Sequence, residues 1–337
     1  MNVNNLEVIQ QSIDEITSLA RGFMPAQILL TANRLDLFNL LSEKKLTARD
    51  LANKMGTNAR ATELLCNALV SLGFLEKKDG KFYNSEKSEQ FLVRGKPYFV
   101  GDNLRHQSYL MERWLHLEEV IKTGQPLPRP QADDQKNKQQ IRDFILAMAN
   151  IGQLTARQVV EGLDLRGVQR IIDIGGGPAT YAIEFVKKNP DIQAVVFDLP
   201  EVVPIAEERI RALNLQNNIS TKVGNFHQDD LGVGYDLAFL SNIIHMLGFE
   251  EMIKLFKKIH KALNQNGKLV VKDFFVNEAG TAPSFAAQFA INMLINTEHG
   301  KSYSFTEMHQ AFDQSDFSWI YSFSVGHHST VIVAERG

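Results

Sequence analysis

The first hundred residues have the spacing of apolar side chains that is typical of short helices. Thr47 and Asn58 stand where N-caps would start two helices, ARDLANKMG closed by Gly56 and ARATELLCNALVSLG closed by Gly73. Before them, seven apolar residues recur at helical spacing: Ile28, Leu29, Ala32, Leu35, Leu37, Phe38 and Leu41. The segment FLEKKDGKFYNS then predicts two short strands around an Asp79-Gly80 turn. Three helices followed by a hairpin predict a winged helix.

A polar stretch interrupts this pattern. Residues 123–140, TGQPLPRPQADDQKNKQQ, hold three prolines and almost no apolar side chains, which favours a surface loop over a lid. The helical spacing of apolar residues returns in IRDFILAMANIGQLTARQVVEGL. That segment predicts a helix leading into the second half of the chain.

From Gln169 onward the pattern is that of buried strands. Short apolar runs alternate with amphipathic helices, which predicts a parallel sheet with right-handed crossovers. Five such runs are QRIIDIG, AVVFDL, STKVGN, DLAFLSN and KLVVKDFFV. Two further runs near the end of the sequence, SWIYSFSV and STVIVAER, flank a short Gly-His-His turn and predict an antiparallel hairpin. We therefore expect an α/β chain with a Rossmann-like, mostly parallel seven-stranded sheet, a C-terminal antiparallel hairpin and a mainly helical N-terminal winged-helix domain.

Composition limits what such a chain does. Thirty-six basic against 39 acidic residues give a net charge of -3, which disfavours a dedicated nucleic-acid binder. The helix in the recognition position carries Arg60 and Glu63 and then turns apolar, so packing or dimerisation is favoured over DNA binding. The single cysteine, Cys66, excludes an internal disulfide and a Cys-rich zinc module. Without a basic start to a signal peptide or an apolar run of about 18 residues, we expect a cytoplasmic protein with no membrane partner.

A glycine loop follows the first strand of the second half. Asp173 to Pro178, DIGGGP, would let a ligand approach the backbone and the free N–H groups of a helix start. The dinucleotide fingerprint would need a glycine at Thr180, which disfavours NAD; a tight turn without a ligand is the alternative. Asp198, 23 residues after Gly175, stands where a carboxylate accepts hydrogen bonds from ribose hydroxyls, although it could instead cap a helix. Further on, Asn225-Phe226 offers an amide and an aromatic face to an adenine ring, or forms an ordinary turn.

The segments IIDIGGGPATYA, VVFDLPEVV, VGNF and LSNIIH resemble the S-adenosylmethionine-dependent class I small-molecule O-methyltransferases of the caffeate and hydroxyindole type and their bacterial counterparts. The resemblance covers nearly the whole chain. It implies S-adenosylmethionine as cofactor, a hydroxylated aromatic acceptor and a homodimer. The domains would then be a winged-helix dimerisation domain over residues 1–100, a helical connector contributing to the substrate pocket over 101–150, and a catalytic domain over 151–337. The expected pocket residues are Phe144, Met148, Phe289 and Met293.

The resemblance also assigns cofactor contacts, although the chain departs from the family at several positions. Asn225 stands where the family usually has an aspartate, Ser241 where plant members often carry a lysine, and Ala179 where a glycine is usual. The cofactor residues that it implies are Asp173, Gly175, Gly177, Asp198, Asn225, Phe226 and Ser241.

His245, just beyond the fourth strand, stands where the family places its general base. Asp273 lies 28 residues later, where a family carboxylate positions that base. Since the carboxyl ends of neighbouring parallel strands meet at one sheet edge, the two side chains can pair. An imidazole suits removal of a phenolic proton, a step typically worth about 100- to 10,000-fold. The alternative is a loop histidine that caps the following helix.

Two further departures from the family pattern concern residues expected near the reacting groups. Met246-Leu247 replaces the family's Asp-Trp after the base, and a second family acid is replaced near Ser302. The spacing of the other histidines predicts no metal site. We expect an O-methyltransferase; a C- or N-methyltransferase or another reaction on the same fold, and a winged-helix ligand-sensing regulator, remain alternatives.

Overall fold

The computed structural model describes residues 3–128 and 135–337, with the side chains of residues 6–128 and 138–337. The chain divides into two compact units, Met1–Tyr109 and Leu110–Gly337. The predicted domain boundaries at residues 100 and 150 remain predictions. Helix α7 (Gly101–Trp114) begins in the first unit and ends in the second.

The first unit is mainly helical and carries a small antiparallel sheet in the order β1-β3-β2. Its helices before α7 are α1 (Val3–Ala20), α2 (Phe23–Arg34), α3 (Leu37–Leu40), α4 (Ala48–Met55), α5 (Ala59–Ser71) and α6 (Glu86–Phe91). Its strands are β1 (Leu46–Thr47), β2 (Leu75–Lys78) and β3 (Lys81–Asn84).

Local sequence signals fix these elements. The Thr47 side chain accepts a hydrogen bond from the Asp50 backbone N–H, and Asp50 accepts one from the Thr47 N–H in return, a capping box that starts α4. Asn58 caps α5 through the Ala61 N–H. Positive φ angles of 51° at Asp79 and 72° at Gly80 close the predicted hairpin. The extra pairing of β1 with β3 was not predicted.

The second unit is built around a seven-stranded sheet in the order β6-β5-β4-β7-β8-β10-β9. β4 to β8 are parallel to one another, and β10 is antiparallel to both β8 and β9. The strands are β4 (Arg170–Ile174), β5 (Gln193–Asp198), β6 (Ile219–Val223), β7 (Tyr235–Ser241), β8 (Leu263–Asp273), β9 (Phe317–Val325) and β10 (Ser329–Arg336). The predicted fold class is confirmed, including the terminal hairpin.

Helices cover both faces of this sheet. One face packs Ile172, Leu240 and Val271 into one core, and the alternating residues Ile171, Phe239 and Val270 enter a second core on the other face. The helices of this unit after α7 are α8 (Leu117–Thr123), α9 (Gln135–Glu161), α10 (Thr180–Lys188), α11 (Val203–Ala212), α12 (Phe249–Ala262), α13 (Ser284–Asn296) and α14 (Phe305–Asp313).

The predicted loop over residues 123–140 is partly wrong. Thr123 ends α8, and α9 already begins at Gln135, six residues before the predicted helix start. Residues 129–134 lie outside the described part of the chain. The sequence QKNKQQ is polar but rich in Lys and Gln, which are good helix formers. Its polarity alone was therefore not evidence for a loop.

Candidate active site

The glycine loop connects β4 to α10 through backbone conformations that side chains rarely adopt. Gly175 has a φ of +65°, and its N–H donates to the Phe197 carbonyl at 2.8 Å. A Cβ at Gly175 would overlap the Ile243 side chain, whereas one at Gly177, with a φ of +52°, would meet open space. Ala179 also lies in the left-handed region, at a φ of +60°, which explains why a glycine suits that position.

Asp198 is bonded to the same loop. Its Oδ2 accepts the Gly177 N–H and its Oδ1 accepts the Leu199 N–H, both at 2.7 Å. Burial raises the pKa of this carboxyl above its ordinary value, and these two backbone donors oppose the rise. The two donors fix the carboxylate while each oxygen keeps a lone pair for a ribose hydroxyl.

Asp173, in β4, is a buried acid with an unused oxygen. It is 1% exposed, and its Oδ2 has no hydrogen-bond partner among the described residues. Burial and, to a smaller extent, the negative charge of Asp198 raise the pKa of Asp173 to about 7, and the Ala182 backbone N–H opposes the rise.

Asn225 and Phe226 follow β6 in a tight turn. Asn225 Oδ1 accepts the His227 N–H at 3.0 Å, and the Asn225 N–H donates to Asp229 at 2.7 Å. The carbonyl of Phe226 accepts a hydrogen bond from Lys258 Nζ at 2.7 Å, and its half-buried ring packs against the core. The geometry is that of the ordinary turn, so contacts of this pair with an adenine stay a prediction.

Ser241 ends β7 with a buried Oγ that has no hydrogen-bond partner among the described residues. Its register partner on β8 is Lys272, which is 2% exposed. Register and alternation place Asp198, Asp173, Ser241 and Lys272 on one face of the sheet, at the carboxyl ends of four adjacent strands.

These groups fit the predicted cofactor. The unused oxygens of Asp173 and Ser241 are buried polar atoms that need a partner, and the loop at Gly177 leaves room beside the backbone. Asp198 supplies acceptors for ribose hydroxyls, and the free N–H groups at the start of α10 favour a polar ligand.

His245 and Asp273 form a buried pair. His245 lies in a short 3-10 turn after β7, is 6% exposed, and its Nδ1 is 2.7 Å from Asp273 Oδ1. Asp273, at the end of β8, also accepts the Phe274 N–H at 2.8 Å, which orients its carboxylate. An ionised Asp273 accepts the proton on Nδ1 and leaves Nε2 as the basic nitrogen. Within residues 6–128 and 138–337, nothing donates to or accepts from Nε2 in a hydrogen bond.

Aromatic rings surround this pair. The Phe289 ring, on α13, meets the His245 ring edge-on with centroids 4.8 Å apart. Phe274 lies 4.8 Å from Phe289 and 5.0 Å from Phe285, and His328 of the hairpin turn stacks on Phe285 at 4.2 Å. A flat aromatic molecule is complementary to such a set of rings.

The other predicted pocket residues are Met293 on α13 and two residues on α9. Met293 is buried one helical turn after Phe289. On α9, Phe144 is exposed and Met148 is half-buried. The structure brings the ring of Phe289 into contact with His245.

Where the chain departs from the family's acidic residues, the groups present form local hydrogen bonds. Ser302 Oγ donates to the Ala286 carbonyl at 2.7 Å, so this hydroxyl is used in packing α13. The carbonyl of Leu247 accepts the Tyr303 hydroxyl at 2.6 Å. His245 therefore has one carboxylate partner, Asp273, within the part of the chain that the structure describes.

Sequence reasoning missed two cationic residues at the site. Arg209, on α11, donates to the Pro178 carbonyl at 2.7 Å and to Thr180 Oγ1 at 2.9 Å, and so holds the end of the glycine loop. Burial lowers the pKa of Arg209. Lys272 was hidden inside the apolar run KLVVKD, where a lysine in an otherwise buried strand was the available signal.

The described residues contain neither a metal-binding cluster nor a membrane-spanning helix. No group of three or more His, Cys, Asp or Glu side chains there is arranged to hold a metal ion. No helix in that part of the chain is long and apolar enough to cross a membrane.

Comparison with known proteins gives matches along almost the whole chain. Residues 124–318 match the family model of the O-methyltransferase domain, and residues 17–94 match that of the O-methyltransferase dimerisation domain. The chain is 32% identical to 3-hydroxy-5-methyl-1-naphthoate 3-O-methyltransferase of Streptomyces sahachiroi, over 87% of this chain and 86% of that protein. It is 26% identical to L-tyrosine C(3)-methyltransferase of Streptomyces lavendulae, over 88% and 84% of the two chains. The structure of human N-acetylserotonin methyltransferase in complex with S-adenosylmethionine superposes with a TM-score of 0.88 at 25% identity, over 97% of this chain and 98% of that one.

Proposed function

The chain belongs to the S-adenosylmethionine-dependent O-methyltransferases, and from this premise we propose that it methylates a hydroxyl group of an aromatic small molecule with His245 as general base. The predicted family, enzyme class and cofactor are thereby confirmed. The relative from Streptomyces sahachiroi is named for a hydroxynaphthoate, which supports a hydroxylated aromatic acceptor here.

The observation that carries the proposal is the His245–Asp273 pair beside aromatic rings. Asp273 fixes the proton on Nδ1 at 2.7 Å, so Nε2 is free to accept the proton of the acceptor hydroxyl. The imidazolium that results is stabilised by the same carboxylate. Phe289 borders the imidazole and, with Phe274, offers flat apolar surface on which an aromatic acceptor can stack.

The remaining residues hold the cofactor. When bound, S-adenosylmethionine supplies an activated methyl carbon that is transferred by in-line displacement. Asp198 would accept hydrogen bonds from the ribose, the loop at Gly175 and Gly177 would let the backbone approach closely, and the buried carboxyl group of Asp173 would accept a hydrogen bond from the ammonium group. The burial of His245 and Asp273 keeps bulk water away from the proton being moved.

Product analysis tests this function. The purified protein is incubated with isotopically labelled S-adenosylmethionine and 3-hydroxy-1-naphthoate, 2-naphthol and simple phenols, and the products are characterised by mass spectrometry and NMR. We expect a methyl ether on at least one bicyclic acceptor. Absence of any O-methylated product across hydroxylated aromatics would contradict the proposal.

A C-methyltransferase is the second candidate. Ser302 stands where the family has a second acid, and a relative at 26% identity is named as a C(3)-methyltransferase of L-tyrosine. The same NMR spectra distinguish the reactions, because a methyl on ring carbon and a methyl on oxygen have well-separated shifts. Tyrosine is therefore included among the acceptors.

We also propose a homodimer formed through residues 1–100. Helix α1 is almost fully exposed although it carries a series of apolar side chains, and an unpartnered helix of this kind needs a covering surface. The exposed large apolar residues in α1 and at the start of α2 are Leu6, Val8, Ile9, Ile13, Ile16, Leu19, Phe23 and Met24. Sedimentation at micromolar concentration should give a dimer. A single species of 38.0 kDa would contradict it.

A further inference from the structure

Lys272 is a buried cation that the proposed chemistry at His245 does not use. It is the penultimate residue of β8 and is 2% exposed. Its Nζ donates to Asn242 Oδ1 at 3.3 Å and lies 5.7 Å from the centroid of the Phe274 ring. Among the residues whose side chains are described, no carboxylate forms an ion pair with it. A buried ammonium without an anion is costly, so its surroundings favour the binding of one.

Ser241 provides a second donor beside Lys272. The two residues are register partners on parallel strands, so their side chains leave the same face of the sheet. Ser241 Oγ is buried and has no hydrogen-bond partner in the described chain. An ammonium and a hydroxyl that both lack an anionic acceptor are complementary to the two oxygens of a carboxylate.

The place of this pair in the sheet indicates which carboxylate it binds. Asp198, Asp173, Ser241 and Lys272 occupy successive strands β5, β4, β7 and β8 on one face. Carboxyl groups lie at the β5 and β4 side and an ammonium group lies at β8. The cofactor has ribose hydroxyls at one end of its thioether chain, and an ammonium and a carboxylate at the other. With strands about 4.8 Å apart, Asp198 can reach the ribose, Asp173 the ammonium and Lys272 the carboxylate.

We propose that Lys272 Nζ and Ser241 Oγ form a carboxylate-binding site, and that it holds the methionine carboxylate of S-adenosylmethionine. Lys272 then supplies the cationic contact on β8, one strand away from Ser241 on β7. The inference rests on the cofactor and not on the role of His245, so either can fail without the other.

Calorimetric binding of two ligands tests the site. S-adenosylhomocysteine and 5′-methylthioadenosine share the adenosine and the thioether, but the second lacks the amino acid. In Lys272→Met we expect the affinity for S-adenosylhomocysteine to fall about 10- to 100-fold, as for loss of a hydrogen bond to a charged group, with 5′-methylthioadenosine unchanged. Ser241→Ala should give a smaller loss with the same selectivity.

Lys268→Met is the matched control. Lys268 lies in the middle of the same strand, four residues before Lys272, and its Nζ donates to the Asp164 carbonyl at 3.1 Å. Both ligands should bind this variant as they bind the wild type. If Lys272→Met weakens both ligands equally, Ser241→Ala decides: selective loss of S-adenosylhomocysteine supports the site, and unchanged binding overturns it.

A second pair of ligands separates the cofactor from the acceptor as the source of the carboxylate. 3-Hydroxy-1-naphthoate and 2-naphthol differ by one carboxylate and are titrated into protein saturated with S-adenosylhomocysteine. Their affinity ratio should be the same in the wild type and in Lys272→Met. A change in that ratio alone would overturn the assignment to the cofactor, and no change in either pair would overturn the site itself.

Discussion

The proposed cofactor side of the site, at β4 and β5, is built differently from the proposed catalytic side at β7 and β8. On the cofactor side the defining contacts are made by backbone groups, such as the Gly177 N–H on Asp198 and the left-handed conformation of Gly175. On the catalytic side they are made by side chains from separate elements, His245, Asp273 and Phe289. A backbone-built region tolerates few residues at each position. A side-chain-built region can change its specificity while the backbone stays in place.

Gly175→Ala tests the backbone-built side most severely. The new methyl group would stand in the left-handed region and overlap Ile243, so the free energy of unfolding should fall by about 2–5 kcal/mol. Gly177→Ala is the control, since its φ is also positive but its methyl group would meet open space. Denaturant unfolding measures both. Equal losses in the two variants would show that the contact with Ile243 is unimportant.

Asp198→Ala should reduce the free energy of cofactor binding about as much as Gly175→Ala reduces the free energy of unfolding. Loss of the ribose acceptors and of the anchor for the Gly177 N–H should cost about 2–4 kcal/mol of affinity for S-adenosylhomocysteine. Exposed Glu201, three residues later, offers the control Glu201→Ala, which should bind normally. Calorimetry that finds wild-type affinity in Asp198→Ala would remove this residue from the cofactor site.

Asp173→Asn should change how stability depends on pH. The folded pKa of about 7 lies above the ordinary value of 3.8, so the folded protein binds this proton more tightly than the unfolded chain does. The stabilisation is complete below about pH 4 and is lost as the pH rises through about 7. Without cofactor, the stability of Asp173→Asn relative to the wild type should therefore rise by about 1–3 kcal/mol between pH 4 and pH 8. An unchanged difference across that range would contradict the burial of an acid here; exposed Asp191→Asn is the control.

The predictability of the two sides follows from how they are built. The glycine loop, Asp198 and the alternation of strands with helices could be predicted because a strand, a helix and the turn between them each leave a local signal in the sequence. The His245–Asp273 pairing followed from the family resemblance, and parallel-strand geometry made it possible.

The remaining features could not be predicted because they depend on which strands become neighbours. The proposed role of Lys272 depends on its register with Ser241, which a single sequence does not reveal. The approach of Phe289 on α13 to His245 likewise depends on tertiary packing. The start of α9 was missed because Lys and Gln favour both a helix and a polar loop.

The measurement that tests the account most directly is the turnover of His245→Ala with an accepted aromatic substrate. We predict that kcat falls about 100-fold or more while the affinity for S-adenosylhomocysteine stays unchanged. Asp273→Asn should show a milder loss, because the base is retained and only its orientation is disturbed. His327→Ala, in the exposed hairpin turn, should behave as the wild type. Near-normal kcat in His245→Ala would contradict general-base catalysis and leave proximity of an already ionised acceptor as the source of the rate.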